Sequence, residues 1–231
     1  MTGSRWSTLR RTVSWPWVGP ALGLVILAVL LWPPVRRAME SGMTQHMLVQ
    51  YPAVLAAGAL LVGAVPQRWQ QGLQRFNELG IAGLLFAAVT MAVLMVPRVL
   101  DLALADLSVE ALKLLTLALS GAALRLSWHR AGTVVQAFFL GNVLPMLAVA
   151  GTLYQDSTTR LCNAYLLDDQ QTLGAALPWI SAGILGLWLL QLALQHSIGR
   201  DAPDAIEEPA LHASALTPRA ARETDPHGSR G

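Results

Sequence analysis

Soft and polar side chains crowd the start of an apolar stretch that begins near residue 46. The segment MESGMTQHMLVQ carries three methionines, one histidine, one glutamate and two glutamines. On a single helix turning 100° per residue, Met39, Met43, His46, Met47 and Gln50 fall within an arc of roughly 100°. Thioether sulfur favours Cu(I), and imidazole suits copper in either oxidation state. The pattern therefore predicts a low-coordination copper site, Cu(I) preferred, centred on His46.

Residues from other segments are expected to support this site. Met91 and Met95 stand one helical turn apart at a similar depth of the next apolar segment, so they are predicted to complete the ligand set. Cys162 would add a thiolate from a later loop, and nearby carboxylates would help to capture the cation. The predicted entrance and accessory residues are Glu40, Gln50, Cys162, Asp168, Asp169 and Gln170. Methionine is also a common apolar filler, so packing is the alternative explanation of the stripe.

The acidic pair and the glycine in these motifs each allow a structural explanation beside the metal-binding one. Asp168 and Asp169 stand just before an apolar segment, where acidic residues also cap a helix N-terminus and complement its dipole. Gly42 and the prolines at 33 and 34 offer the alternative that the helix starts only after Met43, in which case Met39 would come from the loop. The loop 154–172, with its tyrosines, cysteine and acids, is expected to fold as an ordered cap over the entrance of the second and third apolar segments.

The composition is that of an integral membrane protein. Of the 231 residues, 54% are hydrophobic and only 13% are charged, and the mean hydropathy is +0.46. A soluble domain needs a larger charged fraction to hydrate its surface. The basic balance, with an isoelectric point near 9.1, follows membrane orientation rather than a nucleic-acid patch. Lipid is the expected surroundings, and nucleic acid is not an expected partner.

The predicted fold class is an all-α bundle of six transmembrane helices with a disordered C-terminal tail. Six apolar segments approach the ~20 residues of a spanning helix. They cover residues 17–32, 46–65, 80–97, 111–128, 133–153 and 173–195. The predicted divisions are a cytoplasmic segment 1–16, a membrane domain 17–196 and a cytoplasmic tail 197–231, whose polar composition lacks any apolar period.

The placement of basic residues predicts the orientation. With both termini in the cytoplasm, eleven basic residues lie on the cytoplasmic side and five on the outer side. Lys113 and Arg125 fall near the ends of the fourth segment, where long basic side chains can reach the headgroups. No Asp, Glu or Lys is expected at mid-depth, so a proton-coupled path is not predicted. The mouth at His46 then faces outward.

Two short motifs resemble the CtaG-type cytochrome c oxidase assembly factors. They are HMLVQYP at residues 46–52 and DQQTLGAALPW at residues 169–179. The family has a His-Met segment followed by Pro at the outer mouth of a span, and an Asp-Gln segment followed by Gly and Trp that opens a later span. It often carries a second histidine where this chain has Gln50, and it is usually described with seven spans.

The resemblance implies a multi-pass protein of the bacterial inner membrane that handles copper for oxidase assembly at the periplasmic face. A periplasmic copper chaperone and a terminal oxidase subunit would be its partners. An enzyme is not expected, because the chain lacks Gly-x-Ser-x-Gly, His-Glu-x-x-His and paired intramembrane aspartates. The alternative is a haem- or quinone-associated subunit of a respiratory complex, with His129 and His196 as an axial pair.

Overall fold

The structure is a computed structural model that describes residues 17–162 and 164–200. Of these residues, 85% are helical and none lies in a strand. The predicted all-α architecture is therefore confirmed for the described part of the chain. The predicted N-terminal segment 1–16 and the tail beyond residue 200 lie outside it. The last helix continues to Arg200, through the first residues that were predicted as tail.

The chain folds into helices joined by short connections. They are α1 (Val18–Leu31), α2 (Pro33–Glu40), α3 (Met43–Gln45), a π-helical turn (His46–Gln50), α4 (Tyr51–Leu61), a 3₁₀ turn (Val62–Ala64), α5 (Gln67–Phe76), α6 (Ile81–Leu94), α7 (Pro97–Ala105), α8 (Leu107–Trp128), α9 (Thr133–Asp156) and α10 (Leu167–Arg200). The chain divides into two compact units after Leu185, inside α10. The second unit is described only over 186–200, the end of that helix, and the sites below belong to the first.

Four helical stretches are long and apolar enough to cross a membrane, and two bent pairs bring the total to as many as six. The four are Met43–Ala64, Leu107–Trp128, Thr133–Asp156 and Leu167–Gln195. Helices α1 and α2 meet at 73°, and α6 and α7 meet at 78°. Each second helix opens with proline, which drives the preceding residue, Trp32 or Val96, into an extended conformation and so bends the pair.

Helices α4 and α8 run side by side in the same direction. Their starts meet where His46 contacts Lys113 at 3.0 Å. Further along, a Cβ on Gly58 would lie 1.9 Å from the carbonyl oxygen of Ala118. Only glycine permits this approach of the two backbones, as is common between membrane helices.

Helix α6 runs the opposite way between the two ends of the bundle. Near its start, Gly83 packs against Ser127 at the end of α8. Beyond its end, the carbonyl of Met95 accepts a hydrogen bond from Tyr154 at 3.0 Å, near the end of α9. The starts of α4, α8 and α10 and the ends of α6 and α9 therefore gather at one end of the bundle, which we call the mouth end.

Candidate functional site at the mouth of the bundle

The backbone at the mouth departs from one regular helix. The helix begins at Met43, after Gly42 in an extended conformation (φ −138°), and Met39 belongs to α2. Residues His46–Gln50 form a π-helical turn that the N–H of Tyr51 closes by donating to the carbonyl of His46. Pro52 supplies a cause, because it has no N–H to donate and its ring crowds the preceding turn. The projection at 100° per residue from 39 to 50 was therefore wrong.

The predicted sulfur ligands nevertheless come together in space. One buried cluster contains Met43, Met47 and Cys162, and Met39, Met91 and Met95 pack against it. Of the described methionines, Met146 alone is outside this sulfur cluster. Tyr51 and Tyr165, also buried in it, meet the ring of His46 edge-on at centroid distances of 5.3 and 6.1 Å. The methionines and Cys162 therefore share one buried cluster with the two tyrosines that contact His46.

His46 is fully buried, and both of its ring nitrogens have partners. Lys113 Nζ lies 3.0 Å from Nε2, and the hydroxyl oxygen of Tyr165 lies 2.9 Å from Nδ1. A lysine ammonium can only donate, so Nε2 accepts and the ring proton resides on Nδ1. That N–H then donates to the Tyr165 oxygen. The histidine is therefore held in one tautomer and one orientation.

A buried ionic group continues from Lys113. Lys113 is 2% exposed, and its Nζ lies 2.5 Å from Oε2 of Glu110, which is 4% exposed. The carboxyl of Glu40 is near enough to that of Glu110 for their charges to interact, and Arg36 Nε lies 3.7 Å from Oε1 of Glu40. The prediction that Lys113 extends to the headgroups was wrong. Lys113 instead turns inward, where Glu110 and His46 give its ammonium two buried partners.

Asp169 ties the second motif to the first. Its carboxylate accepts hydrogen bonds from the backbone N–H of Met43, from the N–H of Thr44 at 3.3 Å and from the Thr44 hydroxyl at 2.6 Å. It therefore caps α3 rather than its own helix, as acidic caps do by accepting free N–H groups. Asp168 is exposed and contributes no side-chain contact to the mouth that the structure describes.

The loop after α9 closes over the mouth, as predicted. Gln170 is buried, and its amide oxygen accepts from the N–H of Leu161 at 2.9 Å while its amide nitrogen donates to the carbonyl of Tyr154 at 3.2 Å. This fastens the loop, so that Cys162 and Tyr165 are buried over His46. Burial, with nearby Asp101, raises the pKa of the Cys162 thiol to about 11. The Cys162 thiol is therefore harder to deprotonate than that of an exposed cysteine.

Gln50 lies in the interior of the bundle rather than at an open entrance. It is fully buried, and neither atom of its amide has a hydrogen-bond partner among the described residues. The hydroxyl of Tyr51, the next residue, is also buried without a partner there. Glu40 likewise faces Arg36 and Glu110 instead of an incoming cation.

Four residues with side-chain contacts at the mouth were not predicted as site residues, although two of them could have been recognised from the sequence. Lys113 is the chain's only lysine among sixteen basic residues, which sets it apart from the arginines that mark orientation. Glu110 stands three residues before it, the spacing of a helical ion pair. Thr44 and Tyr165 gave no signal, because their partners lie 125 and 119 residues away.

The imidazole, thiol and carboxyl groups of the described residues do not form a metal site by themselves. Across residues 17–162 and 164–200, no group of three or more His, Cys, Asp or Glu side chains is arranged to hold a metal ion. A site at His46 would thus depend on thioether sulfur. His129 is exposed at the end of α8, and the side chain of His196 lies outside the described structure.

No protein-family model, curated protein or solved structure matches this chain. The fold and the site themselves define its class, a multi-pass helical membrane protein. Within that class, its distinguishing feature is a buried histidine that contacts Lys113 of a buried ion pair and Tyr165 of the methionine-containing cluster.

Proposed function

We propose that this chain handles copper at the His46 mouth, for the assembly or maturation of a cytochrome c oxidase. The observation that supports this is the sulfur cluster itself. Five methionines from four helical segments belong, with Cys162, to the buried cluster whose two tyrosines contact the ring of His46. Soft thioether donors beside an imidazole suit Cu(I) better than zinc or magnesium.

The residues present fit a copper ion in transit. His46, Met43 and Met47 would hold it, and Met39, Met91 and Met95 lie in the same cluster. The Nδ1–H of His46 donates to Tyr165, and metal-binding histidines usually give their second ring N–H such an acceptor. Neutral ligands of this kind bind less tightly than thiolates, which suits delivery rather than storage. Copper is cargo here, and no enzymatic role is proposed.

The proposed setting is the bacterial inner membrane, with both termini cytoplasmic and the mouth at the periplasmic face. A periplasmic copper chaperone would supply the ion, and a copper-containing oxidase subunit would receive it.

Cells lacking the chain should then assemble an oxidase with a lower copper content, and added copper should partly restore it. An unchanged copper content would remove the link to oxidase assembly.

Copper titration of the purified full-length protein tests the site directly. Under reducing conditions we expect the wild type to bind Cu(I). His46→Ala should weaken binding by at least about tenfold, because even losing an outer partner of a ligand costs about that much. Met43→Leu should also weaken binding, with little loss of stability, since leucine keeps the volume and removes the sulfur.

Met146→Leu is the matched control, because Met146 lies outside the sulfur cluster. It should bind copper as the wild type does. If the wild type binds no Cu(I), or if all three variants bind equally well, the methionines are packing residues and the proposal is wrong.

A further inference from the structure

We propose that Lys113 is a built-in competitor for His46, which must leave Nε2 before that nitrogen can bind a cation, with the carboxylates of Glu110 and Glu40 retaining the displaced ammonium. This rests on the proposed copper-handling function and names the regulation of that same site. The sequence analysis assigned Lys113 no role at the site.

The competition follows from the tautomer of His46. Neutral imidazole has one nitrogen with a free lone pair, and only that nitrogen can coordinate a metal. The lone pair is on Nε2, because the ammonium of Lys113 can only donate to it at 3.0 Å. The N–H at Nδ1 donates a hydrogen bond to the hydroxyl oxygen of Tyr165 at 2.9 Å. One lone pair cannot accept from an ammonium and bind a cation together.

The surroundings provide a place for the displaced ammonium. Lys113 Nζ already lies 2.5 Å from Oε2 of Glu110, whose carboxyl is beside that of Glu40. It also stands 5.8 Å from the centroid of the Tyr51 ring, within the range of a cation–π interaction. A small rotation of the side chain would therefore exchange His46 for the second carboxylate. The ammonium would stay buried and paired throughout.

The residue type suits such a movement. Lys113 is the only lysine in the sequence, and every other basic residue counted with it is an arginine. An ammonium on a flexible four-carbon stem can rotate among several acceptors, whereas a planar guanidinium favours one fixed, forked geometry. Because copper must first displace the ammonium from Nε2, the free energy of that displacement would lower the affinity of the site for copper. The return of the ammonium to Nε2 would then help to release the ion to a partner.

Copper affinity in a double variant tests the competition. We compare Glu110→Gln/Lys113→Leu with Glu110→Gln alone, so that no carboxylate is left buried without its cation. Leucine is chosen over methionine because it adds no sulfur ligand. Affinity for Cu(I) is measured by competition with a chromogenic chelator under reducing conditions. Removing a charge-assisted hydrogen bond from Nε2 should tighten binding by about tenfold or more relative to Glu110→Gln.

The outcomes separate this inference from the function on which it rests. One outcome is that the wild type binds copper through His46 while the double variant binds no more tightly than Glu110→Gln. In that case Lys113 is not a competitor, but the copper site itself is supported. Tighter binding in Tyr165→Phe, with no gain in the double variant, would place the metal at Nδ1 and also overturn the inference. If neither the wild type nor the double variant binds copper, both proposals fail.

A measurement on the unaltered protein removes any dependence on the folding of variants. Labelling with ¹⁵N-lysine gives a single side-chain signal, because the chain has one lysine. Addition of Ag(I), a redox-stable probe for Cu(I) sites, should shift this signal as Lys113 leaves His46. The same addition should leave it unmoved in His46→Ala. Silver binding at His46 with an unshifted lysine signal would overturn the inference.

Discussion

At the scale of single residues, the mouth depends on side chains that bond far along the sequence. Asp169 is the clearest case, because one carboxylate accepts from two backbone N–H groups and a hydroxyl at the start of α3. His46 is another, because its two ring nitrogens connect α8 to the loop after α9. Such residues position others, and their loss should loosen the mouth before it unfolds the bundle.

Asp169→Ala should destabilise the protein by about 1–2 kcal/mol, because it removes a helix cap and leaves N–H groups without an acceptor. Thermal unfolding in detergent, followed with a thiol-reactive fluorogenic dye, measures this, since the buried Cys162 becomes reactive when the structure opens. Asp168→Ala is the matched control, because its neighbouring carboxylate is exposed and should change stability by less than about 0.5 kcal/mol. Equal effects of the two variants would contradict the capping role.

At the scale of elements, the pairing of α4 with α8 decides where His46 and Lys113 meet. Glycines at two crossing points let the backbones touch. A Cβ on Gly58 would come within 1.9 Å of the Ala118 carbonyl oxygen, and one on Gly121 equally close to that of Leu55. Because small residues permit this approach, the register of the two helices is set by glycine positions as well as by hydropathy.

Gly58→Ala and Gly121→Ala should each destabilise the fold by about 1–3 kcal/mol, because a methyl group forces the two backbones apart. Gly141→Ala in α9 is the control, since no atom beyond its own helix lies within 4 Å of the added carbon. It should leave stability unchanged or raise it slightly, because alanine favours helix. Thermal unfolding followed with the thiol-reactive dye at Cys162 measures the stability of all three variants. A neutral result at both crossing glycines would show that the helices can separate without cost.

At the scale of the whole molecule, the helix directions bear on the number of membrane crossings. Because α4 and α8 both start at the mouth end, the chain between them must cross once if both span. Helix α6 has 14 residues, about 21 Å at 1.5 Å per residue, less than the ~30 Å hydrocarbon core. The bent helix α7 must then complete that crossing. Helix α1 also has 14 residues, so α2 must complete its crossing in the same way.

We therefore expect six crossings, with residues 132 and 158 on opposite faces of the membrane. In a Cys162→Ser background, Gly132→Cys and Thr158→Cys should react with a membrane-impermeant thiol reagent from opposite sides. Both positions tolerate the change, because Gly132 has no neighbour within 4 Å and Thr158 is exposed. If both cysteines are labelled from the same side of sealed vesicles, α9 does not cross the membrane and the six-crossing topology is wrong.

Hydropathy and residue type alone predicted the helical class and the apolar segments, and they also picked out five methionines that join one buried cluster, because these features depend on composition over a single turn or span. Tertiary structure decided the partners. Met39 came from a separate helix because Gly42 interrupts the chain, and Asp169 capped α3 instead of α10. Lys113 was buried because Glu110 and His46 satisfy its ammonium. Apart from the local pair Glu110–Lys113, these contacts join residues 67 to 126 positions apart, and local periodicity carries no record of them.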